Sequence, residues 1–219
     1  MRPPQRGEAV AIVLVVLLLI TGASGAGKSS ARAAIERELS PLVECVELAD
    51  VVAVPAAPTL AWRQRATEAV VMRALELQRS ERHLLLSGDP VAAAEVVAAP
   101  SAPALTGLAV CLLDVSPEVQ ASRLAARGDD PSLLDRHQAF AEWMRRHAED
   151  PLHMPHVLST GGWDEMRWDR LTDLRSTWRT HRIDTSALTL PAVADAVLAW
   201  CRSVLAGQAP ILRLAPGVV

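Results

Sequence analysis

The chain has 219 residues, of which 50% are hydrophobic and 21% charged, so it can bury a large core and is not a disordered polymer. A net charge of -3 argues against a broadly basic nucleic-acid-binding surface. The three cysteines, Cys45, Cys111 and Cys201, are far apart and odd in number, which is typical of reduced thiols rather than of a disulfide scaffold. The composition therefore predicts a single domain over residues 1–219 and a cytoplasmic location.

The first apolar run, residues 9–20, follows two arginines and superficially resembles a secretory signal. The run is too short to span a bilayer, which takes roughly 20 apolar residues. A continuous run of Val, Ile and Leu is also typical of a central strand in a parallel sheet, because both of its faces are covered. We favour the strand, since signal cleavage would destroy the motif that follows. The first few residues of the run are expected to form a lead-in or an oligomer contact.

Residues 22–29, GASGAGKS, fit the pattern G-x-x-x-x-G-K-[ST] between this strand and a helical stretch over residues 30–39. Lys28 is the only lysine among 22 basic residues, which argues against a chance match. Glycines let the backbone turn so that its N–H groups converge on phosphates, while Lys28 adds charge and the Ser29 hydroxyl is expected to coordinate Mg²⁺. The motif predicts a nucleoside triphosphate, ATP or GTP. The predicted contacts are Gly22, Ala23, Ser24, Gly25, Ala26, Gly27, Lys28, Ser29 and Ser30.

Further strands and helices alternate along the rest of the chain. Short apolar strands are predicted at residues 43–48, 83–86, 108–113 and around 181–183. A helix is predicted from Pro117 to Arg127, because Ser116 suits an N-cap and Gly128 a helix stop. A last amphipathic helix is expected in the segment that runs to Leu205. This alternation predicts an α/β fold.

The order of these features resembles that of the P-loop kinases of small molecules and nucleotides, which include gluconate, shikimate, adenylylsulfate and chloramphenicol kinases. The resemblance rests on GASGAGKS, an aspartate after the second strand, Gly-Asp after the third, LLDVSPEVQASRLAARGDD after the fourth, and IDTS near the end. It implies a three-layer sandwich with a parallel sheet of strand order 2-3-1-4-5, a helical lid, and a site at the carboxyl ends of the strands. It also implies ATP-dependent transfer of the γ-phosphoryl group to a hydroxyl or phosphate of a small-molecule acceptor.

The resemblance also implies roles for individual side chains. Asp50 stands where similar kinases carry the base that deprotonates the acceptor, and Asp89 where the fold carries a magnesium-binding acid, although the two roles could be exchanged. Arg123 and Arg127 lie four residues apart, on one helix face where the lid begins, and planar guanidinium groups suit the nucleotide. The catalytic assignments are Lys28, Asp50 and Arg127, and the nucleotide contacts outside the loop are Arg123, Arg127, Asp184 and Thr185.

Three regions complete the expected site. Residues 59–82 would bind the acceptor, and within them Arg63 or Arg65 suits an anionic group. Residues 128–150 would form the lid. The apolar tail, residues 207–219, is expected to cover either a sheet edge or a neighbouring chain, as in a homodimer.

Other functions remain open at this point. One is a nucleotide-gated switch or NTPase without an acceptor, and another is a nucleic-acid end kinase, which requires a basic groove that the composition does not indicate. A zinc site built from His137, His147, His153 and His156 is disfavoured, because their spacing matches no structural zinc pattern.

Overall fold

The structure is a computed structural model that describes residues 15–214. Five strands form one parallel sheet in the order β2-β3-β1-β4-β5, which confirms the predicted α/β class and strand order. The strands are β1 (Leu17–Thr21), β2 (Val43–Val46), β3 (His83–Leu86), β4 (Leu108–Asp114) and β5 (His181–Asp184). The α-helices of the described residues are α1 (Lys28–Leu39), α2 (Leu48–Val51), α3 (Leu60–Gln78), α4 (Ala93–Ala98), α5 (Pro117–Arg127), α6 (Leu134–Glu149), α7 (His156–Ser159), α8 (Arg170–Leu174) and α9 (Leu190–Leu205).

The central strand β1 is buried along its whole length. Leu17 and Leu19 pack into the core on the side of α3, α4 and α6, whereas Leu18 and Ile20 pack with α1 and α9 on the other side. Successive side chains of a strand point to opposite faces, so a strand covered on both faces must be apolar throughout. Helices on both faces of the sheet make the predicted three-layer sandwich.

The apolar run at the N-terminus is partly described. β1 takes up its last residues and continues to Thr21. Residues 9–14, for which a lead-in or an oligomer contact was expected, lie outside the described residues.

The second strand ends earlier than predicted. β2 stops at Val46, and the short helix α2 begins at Leu48, which is buried. The Glu47 N–H donates to the Asp50 carboxylate at 2.8 Å, and this hydrogen bond caps α2. The prediction extended the strand because Leu48 continues the apolar pattern, although it belongs to a helix.

Part of the predicted apolar tail lies along the sheet. Leu212 forms an antiparallel bridge with Leu108, at the start of β4, through N–H···O distances of 2.9 and 2.8 Å. β5 pairs with β4 only from Cys111 onwards, so Leu212 covers an edge that β5 leaves open. This is the sheet-edge alternative for the tail, of which residues 215–219 lie outside the described residues.

All three cysteines are free and buried in the core. In residues 15–214, no helix combines the length and the apolar character needed to cross a membrane.

Polar side chains follow the carboxyl ends of the strands. The loop of residues 22–29 follows β1, Glu47 follows β2 and Asp89 lies close after β3, while Asp114 ends β4 and Thr185 follows β5. Because all five strands are parallel, these residues lie along one edge of the sheet, where ligands bind in open α/β folds.

Candidate active site

The loop of residues 22–29, called the phosphate loop below, has the backbone conformation that its motif predicts. The φ angles of Gly22, Gly25 and Gly27 are +142°, +82° and +98°, in the region that favours glycine. At Gly22 a Cβ atom would also lie less than 3.0 Å from the Leu113 carbonyl oxygen. The loop can therefore pass β4 this closely only with glycine at position 22.

Helix α1 begins at Lys28, within the last two residues of this loop, with Gly27 as its N-cap residue. The N–H groups of a first helical turn have no partner within the helix and carry partial positive charge. Within the described residues no side chain caps this terminus, and its first turn contains no acid. Ser29 and Ser30 are exposed there. The terminus thus offers backbone and hydroxyl donors to an anion.

Lys28 is buried beneath the phosphate loop, with 6% of the residue exposed. Its Nζ donates to the carbonyl oxygens of Gly22 at 2.7 Å and Ala23 at 3.0 Å. Burial lowers the pKa of Lys28 from 10.5 to about 8, and the negative charges of Asp89 and Glu47 partly oppose this effect. The ammonium group is therefore held by carbonyl oxygens of its own loop, and the charges of two acids act on it.

A cleft of about 260 Å³ opens over the phosphate loop. Its walls come from the loop, the segment after β3, the end of α5 and the start of α9. The lining residues are Ser24, Gly25, Gly27, Lys28, Ser29, Ser30, Gly88, Pro90, Arg123, Arg127 and Leu190. The remaining predicted loop residues, Gly22, Ala23 and Ala26, are buried behind it. The cleft is where the sequence placed the nucleotide.

Two carboxyl groups lie beside Lys28. Asp89 accepts a hydrogen bond from the Leu48 N–H at 2.8 Å, and burial raises the pKa of its carboxyl group. Glu47 packs against Gly88 so closely that a Cβ atom there would lie less than 3.0 Å from its carboxyl group. Glu47 was missed by sequence reasoning, although it is the residue that directly follows β2.

Asp50, the predicted base, has a different environment. It is exposed, and its carboxylate accepts the Glu47 N–H as the cap of α2. The acids that act most strongly on the charge of Lys28 are Asp89 and Glu47, and Asp50 is not among them. The charge of Asp89 thus acts on Lys28, whereas the Asp50 carboxylate caps α2.

The two arginines predicted at the end of α5 both line the cleft, in different ways. Arg127 pairs with Asp129 through distances of 2.6 and 2.5 Å, yet 57% of its side chain is exposed. Its positive charge also contributes to the lowered pKa of Lys28. Arg123 instead donates to the Gly25 carbonyl oxygen of the phosphate loop at 3.2 Å. Arg127 is therefore the better placed of the two to meet a phosphate.

The segment after β5 contributes less directly than predicted. Asp184 is exposed, and its carboxylate accepts hydrogen bonds from the N–H and hydroxyl of Ser186. Thr185 is fully buried and does not line the cleft. Leu190, at the start of α9, does line it and is 62% exposed. An apolar side chain at a helix start carries no sequence signal for this position.

The acceptor-binding region predicted at residues 59–82 is mostly α3. Arg63 donates from Nε to the fully buried Glu95 carboxylate at 2.9 Å. Its charge partly offsets the rise in the pKa of Asp89 that burial causes. Arg65 is exposed and makes no ion pair within the described residues. The structure thus distinguishes the two arginines that the sequence left equivalent.

The lid region predicted at residues 128–150 divides into two parts. Residues 128–133 are largely exposed and include Asp129, the partner of Arg127. In α6, by contrast, Trp143, Met144 and His147 are buried against the sheet. A helix is therefore present in the predicted lid region, but its second half is part of the core, and the lid role stays a prediction.

The oxygen groups of the cleft suit magnesium. Mg²⁺ prefers oxygen ligands and is usually held by one or two protein groups together with substrate phosphates. Ser29 offers an exposed hydroxyl on the cleft, and Asp89 a carboxylate beside Lys28. Within the described residues no three His, Cys, Asp or Glu side chains converge as a metal site. The donor set fits a magnesium ion that enters with a nucleotide.

Comparison with known proteins supports the architecture. No protein-family model matches the sequence, and no curated protein matches it. The structure is similar to that of a gluconokinase from Sinorhizobium meliloti 1021, with a TM-score of 0.54 and 20% identity over 89% of this chain and 95% of that one. It is also similar to a sugar kinase from Janibacter sp. HTCC2649, with a TM-score of 0.54 and 13% identity over 93% of this chain and 99% of the other. At such identities the similarity establishes the fold alone, and this chain has the P-loop kinase-like fold.

Proposed function

We propose that the protein is an ATP-dependent phosphotransferase that moves the γ-phosphoryl group to a hydroxyl or phosphate of a small anionic acceptor. The observation that carries this proposal is a cleft lined by the phosphate loop, Lys28 and Gly88, with the Glu47 carboxyl group packed against Gly88 and the charges of Asp89 and Glu47 acting on Lys28. A loop of free amides suits a polyphosphate, and a neighbouring carboxylate suits a hydroxyl that must lose its proton. The similarity to two solved structures described as a gluconokinase and a sugar kinase supports it.

The phosphate side of the cleft provides positioning and charge neutralisation, which phosphoryl transfer needs more than covalent chemistry. The loop amides orient the β and γ phosphates, and Lys28 neutralises their charge. Arg127 adds a second cation from the exposed end of α5. Ser29 and Asp89 would hold Mg²⁺, which when bound supplies further neutralisation of phosphate charge. The turnover assay described below compares ATP with GTP as the phosphoryl donor.

Glu47 is our preferred base. Its carboxyl group lies against Gly88 on the cleft wall, and its charge acts on both Lys28 and Asp89. The prediction that Asp50 is the base remains open, but the Asp50 carboxylate already caps α2 and is exposed. With Asp89 assigned to Mg²⁺, we assign Glu47, whose carboxylate also pairs with Arg32 at 3.5 Å, to accept the proton of the acceptor hydroxyl.

Arg63 favours an acceptor that carries a negative charge. Glu95, which is fully buried, binds only the Nε of Arg63 and so orients the guanidinium group without occupying its whole fork. A planar guanidinium group binds a carboxylate or phosphate through two parallel hydrogen bonds. Arg65 is exposed, so we expect it to contribute less.

The experiment is a turnover assay with ATP or GTP and a panel of sugar acids, hydroxy acids and nucleoside monophosphates, with detection of the phosphorylated product. Lys28→Met should abolish turnover. Glu47→Gln should lower kcat by about a hundredfold or more, the range of a lost general base. Asp50→Asn should leave kcat within a few-fold, because its role is a helix cap. Arg63→Met should raise the acceptor KM more than Arg65→Met does.

The control is Arg202→Met, which removes an exposed arginine that pairs with Glu38 on the surface. This variant should have the turnover of the wild type. Loss of activity in Asp50→Asn but not in Glu47→Gln would show that Asp50, and not Glu47, is the base. Nucleotide consumption that no acceptor accelerates would favour the switch or acceptor-free NTPase, and a steep salt dependence with oligonucleotides would favour the nucleic-acid end kinase.

A further inference from the structure

Side chains from outside the phosphate loop donate hydrogen bonds to its backbone carbonyl groups. Gln120 Nε2 donates to the Ser24 oxygen at 2.9 Å, and Arg123 Nη1 donates to the Gly25 oxygen at 3.2 Å. Both side chains come from α5, which also packs on Gly25: a Cβ atom there would lie 3.5 Å from Gln120. The loop is therefore held from behind by one helix.

The two donors are themselves fixed in place. Gln120 is fully buried, so its amide group has little freedom. Arg123 also donates to Thr185, from Nη2 to the backbone oxygen at 2.7 Å and from Nη1 to Oγ1 at 3.0 Å. Thr185 is fully buried, and its own hydroxyl donates to the Asp114 oxygen at the end of β4 at 2.9 Å. Arg123 thus connects the phosphate loop to the ends of two strands.

These bonds fix the direction of the loop amides. A peptide group is planar and trans, so the carbonyl of one residue and the N–H of the next point in opposite directions. When the Ser24 and Gly25 carbonyls are bound from behind, the following peptide N–H groups cannot rotate away. Lys28 holds the two preceding carbonyls, of Gly22 and Ala23, in the same manner. Four successive carbonyl groups of the loop therefore have side-chain donors.

We propose that Gln120 and Arg123 are positioning residues, which hold the phosphate loop in its anion-binding conformation, and that Thr185 anchors Arg123. This inference rests on the proposed function, because it assumes that the loop binds a polyphosphate. It gives Arg123 a role different from the direct nucleotide contact that the resemblance implies. It also gives Gln120, which lies in the segment that carries the resemblance but was assigned no role there, a place in the site.

Two probes distinguish a positioning role from direct contact of Arg123 with the nucleobase of ATP. Inorganic tripolyphosphate contacts only the phosphate-binding part of the site, whereas ATP also contacts the part that binds its nucleobase. Calorimetric binding of both probes, with magnesium, is measured for wild type, Arg123→Met and Gln120→Leu. We expect Arg123→Met to weaken the binding of both probes by the same factor, about tenfold for a lost charged hydrogen bond. For Gln120→Leu we expect about a threefold loss of affinity for both probes.

Conservative variants distinguish positioning from a general loss of structure. Thr185→Ser keeps the hydroxyl and should bind both probes as wild type does, whereas Thr185→Val should weaken both. Arg123→Lys keeps a hydrogen-bond donor and should recover part of the affinity that Arg123→Met loses. If Arg123→Met does not fold, Arg123→Lys takes its place in the comparison of the two probes. The matched control is Arg202→Met, which should leave both dissociation constants unchanged. Thermal unfolding of each variant shows whether it is folded at the assay temperature.

The outcomes overturn different statements. If Arg123→Met weakens the binding of ATP but not that of tripolyphosphate, Arg123 contacts the nucleobase and the inference is wrong. If neither probe is affected by Arg123→Met and Gln120→Leu in folded protein, the carbonyl contacts do not position the loop, and the inference is again wrong. If wild type binds neither probe, the proposed function fails, and this inference fails with it.

Discussion

Lys28 is the only lysine in the chain, so the ionisation of one side chain can be followed directly. Burial lowers its pKa from 10.5 to about 8. At about 1.4 kcal/mol for each tenfold change in an equilibrium constant, this fall corresponds to about 3 kcal/mol, the cost of holding the charged form in the folded protein. We therefore predict that Nζ of the nucleotide-free protein titrates with a midpoint near pH 8.

Nuclear magnetic resonance of protein labelled with ¹³C-lysine measures this midpoint, because the label produces a single Cε signal. The unfolded protein, titrated in denaturant, provides the reference near 10.5. Tripolyphosphate should raise the midpoint, since a neighbouring anion favours the ammonium form. Calorimetry at alkaline pH should then detect proton uptake on binding. A midpoint equal to that of the unfolded protein would refute the reasoning.

The same pKa gives the sign of a stability effect. Below about pH 8 the folded and unfolded chains both hold the Lys28 proton, and the full cost of burying the charge is present. Between about pH 8 and 10.5 only the unfolded chain holds it, so the free energy of unfolding rises with pH in this window. Lys28→Met should remove that dependence and stabilise the protein at neutral pH by up to about 3 kcal/mol. A variant no more stable than wild type would contradict the burial argument.

Two further predictions concern the backbone and the core. Gly22→Ala should destabilise the protein by about 2 kcal/mol or more beyond Gly128→Ala, in chemical denaturation, because both glycines have positive φ but only Gly22 would also meet the Leu113 carbonyl; equal losses would show that the close approach is unimportant. Burial lowers the pKa of His147 from 6.5 to about 4, so stability should fall by up to about 3 kcal/mol as the pH drops through that range. His147→Phe, which keeps the stacking on Trp143, should remove most of this acid sensitivity, and an unchanged pH profile of unfolding would contradict the assignment.

The fold can be predicted from sequence because its signals are local. Helix α5 shows this clearly: Ser116 accepts a hydrogen bond from the N–H of Val119, Pro117 opens the first turn, and Gly128 ends the helix with a φ of +84°. Each of these residues has a physical preference for its position that does not depend on the rest of the chain. The phosphate loop is equally local, since its glycines and Lys28 lie within seven consecutive residues.

The acidic side of the site could not be predicted with the same certainty. Glu47 and Asp50 are three residues apart, and the sequence pattern continues through the apolar Leu48. Only the structure shows that β2 ends before Leu48, so that Glu47 rather than Asp50 follows the strand. A shift of one helical turn thus exchanges a residue packed against the cleft-lining Gly88 for a helix cap. The Leu48 N–H bond to Asp89, 41 residues away, has no sequence signal at all.

The lid was the least predictable element, because an amphipathic helix buries one face whether it closes a cleft or completes a core. In α6 the buried face belongs to the core, and Arg145 pairs with Asp114 at the end of β4 through distances of 2.9 and 3.1 Å. Moving α6 away from the sheet would expose Trp143 and Met144, at roughly 2 kcal/mol or more for each large apolar side chain. The exposed residues 128–133 carry no such cost, and we propose them as the part of the predicted lid region that closes over the cleft.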